Sequence, residues 1–163
     1  MTLSQAQVAL IKTSWGKLKS VGSKELGLLI FQRLLNQEPQ VRGVFLNMGV
    51  PMGENEISLE YVRNHPKLLS HASKIGSAVA SFANKFENPE ELEALTTRLG
   101  KAHANSNVEL QHFESMGPVI LSVVGDQLEL PTSSPVIEAW AEGYGVLKAG
   151  ILKAMVAHTS NGS

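Results

Sequence analysis

LTTRLGKAHANSNVELQHF, residues Leu95 to Phe113, is the stretch whose reading decides the fold. Leu92, Leu95 and Leu99 recur at helical spacing, and His103 lies one turn beyond Leu99. His103 therefore points where the leucines point, into the interior. A buried imidazole needs a hydrogen-bond partner or a metal. The Leu99 carbonyl, one turn back, can accept the proton of one ring nitrogen and leave the other to donate to iron. A lone histidine on an apolar face is more often a core residue held by ordinary hydrogen bonds. The rest of the chain has to decide between the two.

Working outward, a helix begins at Ser4, where Ser4 and Gln7 fit a capping box and Leu3 with Val8 fits a hydrophobic staple. Val8, Ile11, Trp15 and Leu18 form its stripe, and Val21-Gly22 breaks it. A second helix over about 23–37 is apolar around much of its circumference, which predicts deep burial. Pro39 stops it and opens a short helix containing Val41, Val44 and Phe45. Residues 47–55, NMGVPMGEN, read as a loop, and 57–63 as one or two helical turns. A third long helix is expected from Pro66 to about Phe86, with Leu68, Ala72, Ile75, Val79, Phe82 and Phe86 as its stripe and His71 at the stripe's edge. A fourth opens at Asn88-Pro89-Glu90-Glu91, carries His103, and ends at Asn105-Ser106-Asn107. A fifth is expected over about 108–128, kinked at Gly117-Pro118. A sixth runs from Ser134-Pro135 to near His158. No segment alternates with period two, so the fold class is all-α.

The 163 residues suit one compact domain spanning 1–163, with a short flexible tail at 159–163. The formal charge of −1 gives no electrostatic footprint for nucleic acid or an anionic membrane. With no cysteine, disulfides, thiolate catalysis and Cys-ligated metal are excluded. MTLSQAQ lacks a basic start before an apolar run, and the stretch 26–35 is too short to span a bilayer, so a soluble cytoplasmic protein is expected.

Of five histidines, His65, His112 and His158 read as solvated, whereas His71 and His103 combine an inward face with helical context. HExxH, a legible Ser-His-Asp set and a glycine-rich phosphate loop are absent. Two inward histidines on separate helices, flanked by Phe31, Phe45, Ile75, Val108 and Phe113, fit a flat apolar cofactor held edge-on, for which haem is the candidate.

The chain resembles a globin, most closely of the neuroglobin and cytoglobin type. LSQAQVALIKTSW resembles the first globin helix, with Trp15. EPQVRGVF puts the family's proline at Pro39 and its haem-packing phenylalanine at Phe45. HPKLLSHASKI resembles the distal helix, with His71 as distal histidine and Ile75 over the haem. LGKAH, Val108 and Phe113 resemble the proximal segment, with Leu99 in place and His103 as iron ligand; WAEGYG, with Trp140 and Tyr144, resembles the last helix. The 32 residues between His71 and His103 match the neuroglobin type and exceed the myoglobin type. Phe31 would cap the distal pocket. Lys74 would pair with a haem propionate, unless it is simply an exposed helix lysine. The family's redox-sensitive cysteine bridge has no counterpart, the loop after Phe45 is somewhat longer, and Pro118 is unexpected.

The resemblance implies a globin fold of six major helices with short C and D helices, a three-on-three sandwich around haem b (iron protoporphyrin IX). It implies reversible binding of O₂, CO and NO, with His71 either donating to the gas or ligating iron as a sixth ligand; the six-coordinate state is the expectation. Haem redox work, as NO dioxygenase, nitrite reductase or electron carrier, is an alternative, and a haem-free sensor or structural domain is another. Monomer and homodimer are both open.

Overall fold

The computed structural model describes residues 3–104 and 110–161. Among them are eight α-helices: α1 (Gln5–Leu18), α2 (Ser23–Gln37), α3 (Arg42–Leu46), α4 (Leu59–Asn64), α5 (Pro66–Ala83), α6 (Pro89–Ala104), α7 (Leu110–Leu128) and α8 (Pro135–Asn161), with a 3₁₀ turn at Pro39–Val41. Six are long and two are short. The layer of α1, α5 and α6 packs on the layer of α2, α7 and α8, with α5 across α2 and α6 across α8. This is the expected three-on-three sandwich.

Local chemistry sets most boundaries. Ser4 and Gln7 form the capping box at α1, and the Asn88 side chain accepts the Glu91 N–H at the start of α6. Trp140 is fully buried, and its indole N–H donates to Ser14 Oγ at 2.8 Å, tying α8 to α1. The Ser14 hydroxyl passes its proton to the Leu10 carbonyl at 2.7 Å, so this polar pair is satisfied inside the core.

Two expected helix ends, those of α5 and α8, are corrected. Helix α5 ends at Ala83, three residues before Phe86. Asn84 donates its side-chain amide to the Ala80 carbonyl, closing the helix end, and Pro89 disfavours helix at Asn88. Phe86 still stacks edge-on against Phe82 at 5.8 Å, so the apolar stripe outlasts the helix. Helix α7 runs continuously through Pro118. Side-chain hydroxyls bond carbonyls in the turns before that proline: Ser115 to Gln111 at 2.8 Å and Tyr144 to Phe113 at 2.5 Å. Helix α8 continues to Asn161, beyond the expected end near His158.

Helices α2 and α5 touch through backbone. A Cβ on Gly27 would collide with the Ala72 carbonyl oxygen and lie 2.7 Å from the Gly76 nitrogen; a Cβ on Gly76 would collide with the Ser23 carbonyl oxygen. Because the obstacles are backbone atoms, they move only if a helix moves. Gly16, in the exposed part of α1, has nothing within 4 Å of such a Cβ. Gly76→Ala is therefore expected to destabilise by about 2–4 kcal/mol, while Gly16→Ala stabilises by about 0.5–1 kcal/mol through helix propensity. Urea midpoints of the two variants check this, and a Gly76→Ala protein as stable as wild type would refute the close crossing.

Candidate functional site

The two interior-facing histidines stand on α5 and α6, two helices of the same layer. On α5, His71 is half-buried and lies against two phenylalanines. Its ring centroid is 5.0 Å from Phe31 and 5.2 Å from Phe45, and those two rings sit 5.1 Å apart, edge to face. Phe31 on α2 is fully buried and Phe45 on α3 nearly so. Among the described residues His71 is held by ring packing, with no hydrogen bond to it. Ile75, one turn on, is half-buried against the core, and Lys74 is exposed.

On α6, His103 is half-buried, and its Nδ1 lies 2.7 Å from the Leu99 carbonyl oxygen. A carbonyl only accepts, so Nδ1 carries the proton and, in the neutral ring, Nε2 carries the lone pair. The Phe113 ring meets His103 edge-on at 5.5 Å. The Phe113 carbonyl in turn accepts the hydroxyl of Tyr144, whose buried phenol has its ionisation pushed well above the ordinary range by burial. Val108 lies outside the described residues.

The structure thus forms two clusters, one of Phe31, Phe45 and His71 and one of Leu99, His103, Phe113 and Tyr144. The clusters are within electrostatic reach of each other. Burial lowers the His71 pKa from 6.5 to about 4, with further lowering from charge on His103 and then on Lys74. His71 is therefore neutral across the physiological range, with a lone pair to give.

The other three histidines are half-buried, not solvated as the sequence suggests. His65 stacks on Tyr61 at 4.1 Å and its Nδ1 lies 2.8 Å from the Tyr61 carbonyl. His158 lines a shallow hollow of about 510 Å³ between α6 and α8.

Sequence reading missed Arg42 and Asn36. Residues 47–55 suggest a slack loop, yet the structure anchors it: Arg42 and Asn36 bond backbone at Gly53, Asn55 and Ile57, and Val50, Met52 and Ile57 are buried. A charged residue between the buried positions Val41 and Phe45 was the available signal.

Among the described residues no group of three or more His, Cys, Asp or Glu side chains is placed to hold a metal ion. Two imidazoles are too few donors for a bare ion, but they would suffice to hold an iron whose remaining donors came from a porphyrin. The donor set and its phenylalanine walls fit haem.

The family model described as Globin matches residues 28–151. The chain belongs to the globin family. This globin is 28% identical over 154 residues to an anaerobic nitrite reductase of Casuarina glauca, covering 93% of this chain and 96% of that one. It is 24% identical over 151 residues to Neuroglobin-1 of Oncorhynchus mykiss, covering 91% and 90%. Its fold is shared with a hexacoordinated heme protein from an anhydrobiotic tardigrade, at TM-score 0.78 and 14% identity over 94% of this chain and 95% of that one. The hemoglobin of the botfly Gasterophilus intestinalis superimposes with TM-score 0.77 at 16% identity, covering 94% and 99%. Membership supports haem binding and, with it, the binding of diatomic gases. Among the described residues no helix is long and apolar enough to cross a membrane.

The His71 shift makes a pH prediction for the haem-free globin. The unfolded chain takes up the proton near pH 6.5, the folded chain only near 4. Between those values the unfolded state binds more protons, so stability present above pH 6.5 is lost as pH falls toward 4. Roughly 2 kcal/mol should go. Urea melts at pH 7 and pH 4.5 test it: wild type should lose more stability than His71→Leu, and equal losses would refute the burial.

Proposed function

We propose that this globin holds haem b between His103 and His71 and reversibly binds O₂, CO and NO there. The observation that carries the reading is the pair of imidazoles on separate helices, each packed against phenylalanine and within electrostatic reach of the other, with His71 kept neutral. When bound, haem would supply an iron able to take protein nitrogen and a diatomic gas. His103 is the proximal ligand in this reading. Its Nδ1–H bond to Leu99 orients the ring and raises the basicity of Nε2. Phe31, Phe45, Ile75, Leu99 and Phe113 would exclude water from the group, Tyr144 holds the Phe113 carbonyl, Lys74 would meet a propionate, and Val108, outside the described residues, is assigned to the same lining on the sequence alone.

His71 has two roles in the proposal. Its N–H donates to a polar diatomic ligand, an interaction worth about 1–3 kcal/mol. In the ligand-free state its lone pair would hold the iron. Gas would then bind only to the fraction in which His71 had withdrawn, and apparent affinity would fall by that fraction. The working compartment we assign is the cytoplasm.

The similarity to a Casuarina glauca anaerobic nitrite reductase favours a second reading, reduction of nitrite at the same pocket. It needs a one-electron donor and two protons per nitrite, and His71 is the pocket group able to relay them. Anaerobic mixing of the ferrous protein with nitrite separates the readings: rapid accumulation of NO supports reduction, and inertness leaves gas binding.

Absorption spectra test the primary reading. Ligand-free ferrous wild type should show sharp, split low-spin visible bands. His71→Leu should show one broad high-spin band, and His103→Ala should lose most of its haem. A broad band in wild type, or split bands persisting in His71→Leu, would defeat six-coordination. Purified protein that shows no Soret peak after hemin is added would defeat the whole reading.

A further inference from the structure

Arg42 opens α3, yet only 7% of its surface is exposed. A guanidinium is buried at little cost only if its donors are met. Here Nε donates to the Leu35 carbonyl at 2.9 Å, Nη1 to the carbonyls of Asn55 at 2.9 Å and Gly53 at 3.1 Å, and Nη2 to Asn36 Oδ1 at 3.2 Å. All four acceptors are neutral oxygens, and they belong to two segments: the end of α2 and the loop before α4. Asn36 completes the lock. Its Oδ1 accepts the Ile57 N–H at 2.8 Å and its amide donates to the Ile57 carbonyl at 2.8 Å, where Gln32 also donates at 2.9 Å.

This lock sits directly upstream of the distal helix. From Ile57 the chain enters α4 at Leu59, and only His65 separates α4 from α5. Lys67, in the first turn of α5, donates to the Met48 carbonyl at 2.6 Å, so the helix start is tied to the same loop. Ten residues into α5, Gly76 is pressed on the α2 backbone. His71 stands midway between these two ties, and Phe45, three residues after Arg42, packs on its ring.

We propose that Arg42 is a positioning residue for His71. By locking residues 53–57 onto α2 it keeps the first turns of α5 still. His71 then reaches or leaves a haem iron by rotating its own side chain, without help from sliding of the helix, and the exchange is slow. The proposal rests on the reading of His71 as an iron ligand. Only an arginine serves, because its planar fork reaches carbonyls on both segments at once. A lysine ammonium is a single nitrogen and cannot span them.

The test uses haem-loaded protein, CO as the probe, and the variants Arg42→Lys and Asn36→Ala, either of which opens the lock if the other fails to fold. The CO-binding phase limited by departure of His71 should quicken about tenfold in the variants, since a freed helix adds a second route for withdrawal. Amide hydrogen exchange should rise across residues 50–72 and stay unchanged in α8. In a His71→Leu background the same substitutions should alter CO binding by less than about twofold, because no distal ligand is left to release. An unchanged His71-limited rate despite raised exchange overturns the proposal. So does unchanged exchange over 50–72, or an equal effect on CO binding in the His71→Leu background. A wild type with no His71-limited phase refutes the ligand reading itself, and Arg42's role with it, before any variant is made.

Discussion

Close helix crossings, permitted by glycine, underlie the placement of both histidines. At the α2–α5 crossing Gly27 faces Ala72 and Gly76, so the helices meet with no side chain between them. His71 precedes Ala72 by one residue, and Phe31 lies one turn beyond Gly27; their rings meet because the helices do. The α6–α8 crossing is also close, but there each glycine faces a small side chain of the other helix. A Cβ on Gly100 would collide with the Ala154 methyl and lie 2.9 Å from the Ile151 carbonyl, and one on Gly150 would lie 2.8–3.0 Å from the Thr96 side chain. His103 follows Gly100 by three residues. Ordinary helix pairs stand 8–10 Å apart, and side chains at the contact set that distance. Removing those side chains draws in the helices that carry the imidazoles, which leaves the pocket walls to the residues one turn away.

The same arrangement separates what the sequence reveals from what it conceals. Periodicity exposes faces, so the long helices, the capping box at Ser4 and the inward aim of His71 and His103 were legible from spacing alone. It is silent about contacts made by absent side chains. Gly76 and Gly100 leave no mark in a hydrophobic pattern, although small residues four apart (Ser23 and Gly27, Ala72 and Gly76, Thr96 and Gly100, Gly150 and Ala154) were a readable trace of both crossings. Phe86 misled in the opposite sense: a side chain can stay in register with a stripe after its backbone has left the helix. Residues 47–55 form the loop that their composition announces, but composition does not show how firmly it is held. Glycine and proline advertise a loop, but the side chains that anchor this one, Arg42, Asn36 and Gln32, lie outside it, and long-range hydrogen bonds have no local signature.

Both histidines are carried by pinned helices, yet they are held by different forces. His103 is fixed by a hydrogen bond to Leu99, which sets its tautomer and ring angle, and by an edge contact to Phe113, itself tied through its carbonyl to Tyr144. Turning that ring breaks a bond inside a poorly hydrated region, at a cost of about 1–3 kcal/mol. His71 is held among the described residues by the faces and edges of Phe31 and Phe45. Aromatic packing of this kind tolerates more than one orientation, and a neutral imidazole has no charge to strand when it moves. Burial that lowers the His71 pKa keeps that ring neutral, with a nitrogen lone pair. A histidine bonded to a carbonyl is fixed in angle, and one steadied among the described residues by phenyl rings has more freedom to turn. The difference is set by which neighbours each ring has, and it follows from residues placed within one turn of the two glycine crossings.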